Sequence, residues 1–241
     1  MCGRFVLYSS LDDIVRAFGI QPPGTPRKAF WTVANGELPQ APAQLRSSYN
    51  IAPTQPVAVV LQRDDANLLE EMVWGLIPFW AKARDIGSRM INARAETLAE
   101  KPSFKRPLAS QRCLVAADGF YEWRKTEQGK MPMFIRLKSR HPFGFAGLYD
   151  AWPSPEGETI RSCTIITTDA NDLVRPIHDR MPVILPRECE ADWLSPGVRS
   201  NADLLALLRP YPAHEMEAYT VSRLVNSPGN NTPECIRPVA V

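Results

Sequence analysis

Cys2 stands in the run Met1-Cys2-Gly3-Arg4-Phe5, and a residue this small at position two favours removal of the initiator methionine. The mature chain is therefore expected to begin with a free cysteine, a 1,2-aminothiol. The α-amine has a reference pKa of about 7.7 to 8.0 and the thiol one of about 8.5, so a useful fraction of each is nucleophilic near neutral pH. An amine attacks an aldehyde to give a Schiff base, and a thiol on the adjacent carbon then closes a five-membered thiazolidine. The substrate class this end fits is an aldehyde. The plain alternative is a small buried cysteine with no chemistry, the commoner fate of the residue.

Three further clusters carry groups suited to such a reaction. In Met90-Ile91-Asn92-Ala93-Arg94, Asn92 and Arg94 lie two apart and face the same way on extended chain; an amide orients a substrate and an arginine suits a phosphate. In Asp118-Gly119-Phe120-Tyr121-Glu122-Trp123, Glu122 sits between large aromatics, where burial makes a carboxylic acid a general acid near neutral pH; a salt-bridged strand glutamate is the alternative. His178, in Arg175-Pro176-Ile177-His178-Asp179-Arg180-Met181-Pro182, is hemmed by prolines that stiffen the backbone, a setting for acid–base work or for a structural histidine bonded to Asp179. His141 and His214 sit beside prolines in expected loops.

The elements that position these groups belong to an ordinary globular chain. Its 241 residues are 44% hydrophobic and 22% charged, with no apolar run near the roughly 18 residues that cross a bilayer and no apolar leader, so a cytoplasmic protein without membrane contact is expected. Cys2, Cys113, Cys163, Cys189 and Cys235 are odd in number, scattered and free of a C-x-x-C pair, which speaks against a disulfide framework and against a metal site. The formal net charge is +2, but Lys82 to Lys125 holds ten basic and five acidic residues. Such a stretch suits one face of a phosphate-binding surface, or a solvated helical face.

Gly3 to Tyr8 reads as a strand. Ser10 reads as an N-cap with Asp13 three residues on; Leu11, Ile14, Val15 and Phe18 keep helical spacing, and Gly19 stops the helix. Residues 21 to 47, rich in proline, read as a surface excursion. Strands are expected at 49–52, 57–62, 68–74, 112–117, 120–125, 133–137, 143–149, 159–167, 183–185 and 219–222. The turn between the second and third lies at 64–67, and Gly119 suggests a bulge. Helices are expected after Asn92, broken near Pro102, and at 188–194 and 202–208, with an irregular tail over 223–241. Many short strands without a βαβ rhythm indicate one antiparallel α+β domain.

Taken in order, Cys2-Gly3-Arg4-Phe5, Tyr49-Asn50-Ile51-Ala52-Pro53, Trp74-Gly75-Leu76-Ile77-Pro78, Asn92-Ala93-Arg94-Ala95-Glu96-Thr97, Asp118 to Trp123 and Ile177 to Pro182, with Val221-Ser222 near the end, closely resemble the SRAP (SOS response-associated peptidase) family. The resemblance implies a single α+β domain around a twisted, barrel-like antiparallel β-sheet with peripheral helices and a basic groove. It further implies a sensor of abasic sites in single-stranded DNA that forms a covalent thiazolidine cross-link and shields the lesion, working without cofactor or metal, as a monomer, nucleoid-associated when bound. Cys2 would supply amine and thiol, Glu122 would shuttle protons, His178 would assist proton transfer, and Asn92 would position the sugar and Cys2. Arg4 and Arg94 would hold flanking phosphates, while Pro53, Trp80 and Trp123 would give stacking surface to bases. Where some members carry an arginine before the equivalent of Phe104, this chain has Pro102-Ser103, leaving Lys101 or Lys105 for that contact. Two other classes compete: a thiol (auto)peptidase using Cys2, His178 and Asn92, and a non-covalent single-strand binder whose affinity falls steeply with salt.

Overall fold

The computed structural model describes residues 2–20, 46–196 and 200–239. In chain order the elements are β1 (Phe5–Leu7), α1 (Leu11–Phe18), β2 (Ser48–Ile51), β3 (Pro56–Arg63), β4 (Ala66–Trp74), β5 (Asn92–Arg94), α2 (Pro102–Ser110), β6 (Arg112–Ala117), β7 (Gly119–Thr126), β8 (Gly129–Leu137), β9 (Phe143–Pro153), β10 (Thr159–Asp169), β11 (Arg180–Pro182), α3 (Arg187–Leu194), α4 (Asn201–Ala206) and β12 (Met216–Thr220). Short 3₁₀ turns fill several connections.

Two sheets make up this α+β fold. Strands β10, β4, β3, β6 and β9 pair in that order, and β9 pairs back onto β10, so five strands close into a barrel; β5 and β11 extend it along β10. A second sheet, β12-β8-β7-β1-β2, is antiparallel throughout. The barrel departs from the expected all-antiparallel pairing at two places, because β10 runs parallel to β4 and to β5. No helix among the described residues is long and apolar enough to cross a membrane.

Period-two alternation in β1 joins the layers. Phe5 and Leu7 enter the main core, and Val6 enters a smaller cluster on the other face with Tyr121, Phe134, Val221, Val225 and Cys235. Phe5 meets Trp74 of β4 edge-on at 5.1 Å between ring centroids and Phe145 of β9 at 5.9 Å, while Phe120 meets Phe145 at 6.0 Å. Each such pair adds about 0.5–1.5 kcal/mol beyond burial, and together they lock the antiparallel sheet against the barrel. The tail closes over the smaller cluster in two 3₁₀ turns, Arg223–Asn226 and Pro233–Ile236, with Val225 and Cys235 fully buried.

Local rules explain α1 well. Ser10 and Asp13 form a reciprocal capping box and Gly19 ends the helix in the left-handed region at φ 57°. Asp64 and Asp65, at φ 46° and 61°, make a two-residue hairpin turn between β3 and β4, tighter than expected. Three expectations about elements need correction. The strand expected at 183–185 lies earlier, at β11, and leaves only an isolated bridge between Ile184 and Phe145. Pro102 does not break a helix but opens α2 near its first position, where its missing N–H costs nothing. Gly119 starts β7 rather than forming a bulge; a Cβ there would lie 2.4 Å from Phe134 Cζ and 2.9 Å from the Ile135 carbonyl oxygen, so close packing requires it. The expected excursion at 21–47 falls, save its last two residues, outside the described residues.

Candidate active site

Cys2 lies just ahead of β1, fully buried. Its carbonyl oxygen accepts a hydrogen bond from Asn92 Nδ2 at 2.7 Å, and its Sγ lies 3.9 Å from the Arg4 carbonyl oxygen. Burial, reinforced by the Glu122 carboxylate, pushes the thiol well above its ordinary range. Glu122 is buried on β7 opposite Met133 of β8. The β1–β7 pairing, extended by Tyr121 N–H donating to Arg4 O at 2.9 Å, carries Glu122 to the Cys2 end of β1.

Asn92 arrives from the barrel. It opens β5, which runs parallel to β10 with Asn92 beside Ile165. Trp74 Nε1 donates to Ile91 O at 2.9 Å, and Leu76 N–H donates to Met90 O at 3.1 Å. These bonds need the loop after β4 to approach the backbone before β5. Gly75, at φ 133°, permits it, since a Cβ there would lie 2.6 Å from Gly87 O. The Trp74–Pro78 motif therefore acts at one remove, by aiming the residue that pins Cys2. Ala93 is buried between Asn92 and the exposed Arg94, so the alternation read from sequence holds.

Beside Glu122 opens a groove of about 1000 Å³ lined by Glu122, Trp123 and His178, with Lys125, Lys130 and Arg175 around it. The histidine is set by a turn built on Asn171, whose Oδ1 accepts from Val174 N–H at 3.0 Å and whose carbonyl accepts from Arg175 N–H at 2.9 Å; Val174 O then accepts from His178 N–H at 2.9 Å. His178 Nδ1 lies 3.0 Å from Arg180 N and 2.8 Å from Asp179 Oδ1. A neutral ring protonated at Nε2 accepts at Nδ1 from the Arg180 N–H; a protonated ring instead donates Nδ1–H to Asp179. Either form therefore has a partner in place at Nδ1, and neither of these two bonds engages Nε2.

The residues expected to meet DNA are spread more widely. Arg4 Nη1 donates to Asn50 Oδ1 at 2.6 Å and to Val225 O at 2.7 Å, and its guanidinium lies 5.9 Å from the Trp123 ring centroid. Much of Arg4 is thus engaged in joining β2, the tail and the groove wall. Trp123 Nε1 donates to Asn226 Oδ1 at 2.8 Å. Pro53 is half-buried beside Thr54, whose N–H donates to Trp74 O at 2.8 Å. Trp80 is 48% exposed next to Phe79 at 45%. Lys101 and Lys105 are exposed.

Sequence reasoning did not single out several positioning residues. Asn50 is buried and directs Nδ2 toward the Val225, Ser227 and Asn230 carbonyls; its only sequence signal was its place in the Tyr49–Pro53 motif. Asn171 carried none. Arg106 stacks 4.0 Å from the Phe79 ring centroid and pairs with buried Asp150, which also accepts from Phe79 N–H at 3.0 Å. Arg180 grips Glu96 with two hydrogen bonds and reaches Asp169 and Thr167 O, tying the start of β11 to β10 and to the turn after β5.

Comparison with known proteins finds relatives that match nearly the whole chain. The family model described as SOS response associated peptidase (SRAP) matches residues 1–228. A Bacillus subtilis protein named abasic site processing protein YoqW is 50% identical over 237 residues, covering 98% of this chain and 99% of its own. The Gallus gallus protein named abasic site processing protein HMCES is 37% identical over 226 residues, covering 80% of this chain and 67% of its own. A crystal structure of a protein from Bacteroides thetaiotaomicron superposes with a TM-score of 0.84 at 30% identity, covering 99% of this chain and all of that one. With its fold, its motif order and a match across nearly its whole length, the chain belongs to the SRAP family.

Proposed function

We propose that this protein processes abasic sites in single-stranded DNA by capturing the aldehyde of the ring-opened sugar at Cys2, leaving a thiazolidine cross-link that shields the lesion. The observation that carries this reading is the pairing at Cys2: its carbonyl is pinned by Asn92, and the buried Glu122 that acts on its thiol also lines a groove carrying three cations. The chemistry needs Met1 removed, because the Cys2 nitrogen is otherwise an amide.

The steps follow from the groups in place. Glu122 assists opening of the cyclic sugar by moving a proton between its hydroxyl and ring oxygens. The Cys2 amine attacks C1′, and water leaves after protonation of the carbinolamine oxygen by Glu122 or His178. The thiol sulfur then adds to the C=N carbon, and its proton passes to the ring nitrogen. One water is lost and one ring is formed. The amine acts first, because the thiazolidine ring closes on the imine carbon. Asn92 holds the nucleophile's backbone, Arg4 and Arg94 bind flanking phosphates, and Pro53, Trp80 and Trp123 give stacking surface to neighbouring bases.

The peptidase reading uses less of what the mature amino end offers. A thiol peptidase has no use for a free α-amine, whereas aldehyde capture employs both amine and thiol. The test mixes Met1-processed protein with a single-stranded oligonucleotide bearing one abasic site and runs a denaturing gel beside Cys2→Ala and an undamaged oligonucleotide. A heat-stable slower band that needs both the lesion and Cys2 is expected. Its absence in processed, folded protein overturns the reading.

A further inference from the structure

The groove beside Glu122 contains three cations for which the steps above have no use. Lys125 and Lys130 sit directly across from each other in the β7–β8 register, both exposed, and among the described residues neither has an ion-pair partner. Like charges directly opposite on an antiparallel pair destabilise the hairpin. A fold gains nothing from this arrangement, whereas an anion lying between the two strands does. Arg175 faces the same groove from the turn before His178. Its guanidinium reaches Ala170 O at 3.1 Å and Asp172 at 3.4 Å, in a pair exposed enough for its charge to remain available. Two carboxylates share the lining. Glu122 is buried at the Cys2 end, and Asp179 is turned to His178. The groove lining thus carries three cations from two segments, the β7–β8 hairpin and the turn before His178, together with Trp123, Pro176 and Ile177.

We propose that Lys125, Lys130 and Arg175 form a phosphate clamp that holds the backbone of the DNA strand where it leaves the lesion, a role separate from that of Arg4 and Arg94. The geometry suits a flexible single strand. Two lysines act as point charges from the hairpin and an arginine from the turn, and apolar surface in the same groove receives a base without reading its identity. The clamp rests on the aldehyde-capture reading for its occupant, and its own signature is electrostatic.

The probe is a fluorescently labelled, lesion-free single-stranded oligonucleotide, titrated by anisotropy over a series of salt concentrations. Each phosphate neutralised on a single strand contributes about 0.7 to the slope of log K against log salt. The triple variant Lys125→Gln, Lys130→Gln, Arg175→Gln is therefore expected to show a slope shallower by about 2, and the lysine double variant one shallower by about 1.4. Arg16→Gln, which removes an exposed charge elsewhere, should match wild type. The two lysine substitutions should also leave the melting temperature equal or raised, since they relieve repulsion; lysines kept for structural reasons would lower it. A triple-variant slope equal to that of wild type, or wild-type binding without salt dependence, overturns the clamp. The same proteins run on a denaturing gel with an abasic oligonucleotide separate the two ideas. A wild-type covalent band with an unchanged variant slope removes the clamp alone, and no wild-type band removes aldehyde capture.

Discussion

Replacing Asn92 tests whether pinning the Cys2 backbone matters to the reaction. In Asn92→Ala the 2.7 Å hydrogen bond to Cys2 O is lost, while β5 keeps its backbone pairing with β10, so the fold should survive. An amide–carbonyl bond is worth about 0.5–1.5 kcal/mol net, and an acceptor left unsatisfied in a buried site costs about 1–3 kcal/mol. Taking about 1–2 kcal/mol as the part felt where amine meets aldehyde, the cross-linking rate at saturating abasic DNA should fall roughly 5- to 30-fold. Asn92→Asp should be slower still, because it sets an acceptor and a negative charge against the carbonyl oxygen in nearly the same volume. The assay is single-turnover cross-linking followed on denaturing gels, beside a thermal melt that reports folding. A folded Asn92→Ala protein reacting within twofold of wild type, or Asn92→Asp outpacing Asn92→Ala, would refute the reasoning.

Three further outcomes follow. Glu122→Gln removes a charge that helps to hold the Cys2 thiol up, so alkylation of Cys2 at a fixed pH should quicken while cross-linking slows; both rates falling together would argue against a proton-transfer role. Gly119→Ala places a Cβ against Phe134 and the Ile135 carbonyl, overpacking that costs about 1–3 kcal/mol, and for a chain of this size the melt should drop by roughly 2–12 °C; an unchanged melt sinks that account. On α3, burial raises the Glu190 carboxyl to about 7 against the opposing pull of Arg187. The folded chain thus holds this proton more tightly than the unfolded one, so stability from this group is full below the ordinary carboxylate pKa and is lost as pH rises toward 7. Glu190→Gln should therefore raise the melting temperature at pH 8 by an amount on the order of 3 kcal/mol in stability and do little at pH 4.5; equal effects at both would contradict it.

Local chemistry was legible wherever it acts within a few residues. Ser10, Asp13 and Gly19 mark α1 from the sequence because capping is satisfied inside one turn. Asn92, Glu122 and His178 stood out because their neighbours restrict the backbone or the dielectric around them, and the structure brings Asn92 and Glu122 to Cys2 and opens Glu122 and His178 onto one groove. Partner choice was not legible. Nothing in residues 159–169 announces that one strand pairs antiparallel with β9 and parallel with β4 and β5, because those choices depend on distant chain. Pro102 reads the same whether it stops a helix or opens one, and Gly119 gives no local sign that a phenyl ring will fill the space of its missing side chain. Asn50 and Asn171 were overlooked because a buried amide serving loop carbonyls has no periodicity.

The bond from Arg4 to Val225 spans 221 positions, and this distance has a consequence for biosynthesis. The opening strand has both of its strand neighbours only once β7 exists, and its arginine finds its last acceptor only when almost the entire polypeptide has left the ribosome. Throughout translation the amino end is therefore loose and open to the aminopeptidase that the proposed chemistry requires. Folding then encloses Cys2 completely. Removal of the methionine before the tail docks therefore meets less enclosure around Cys2 than removal afterwards.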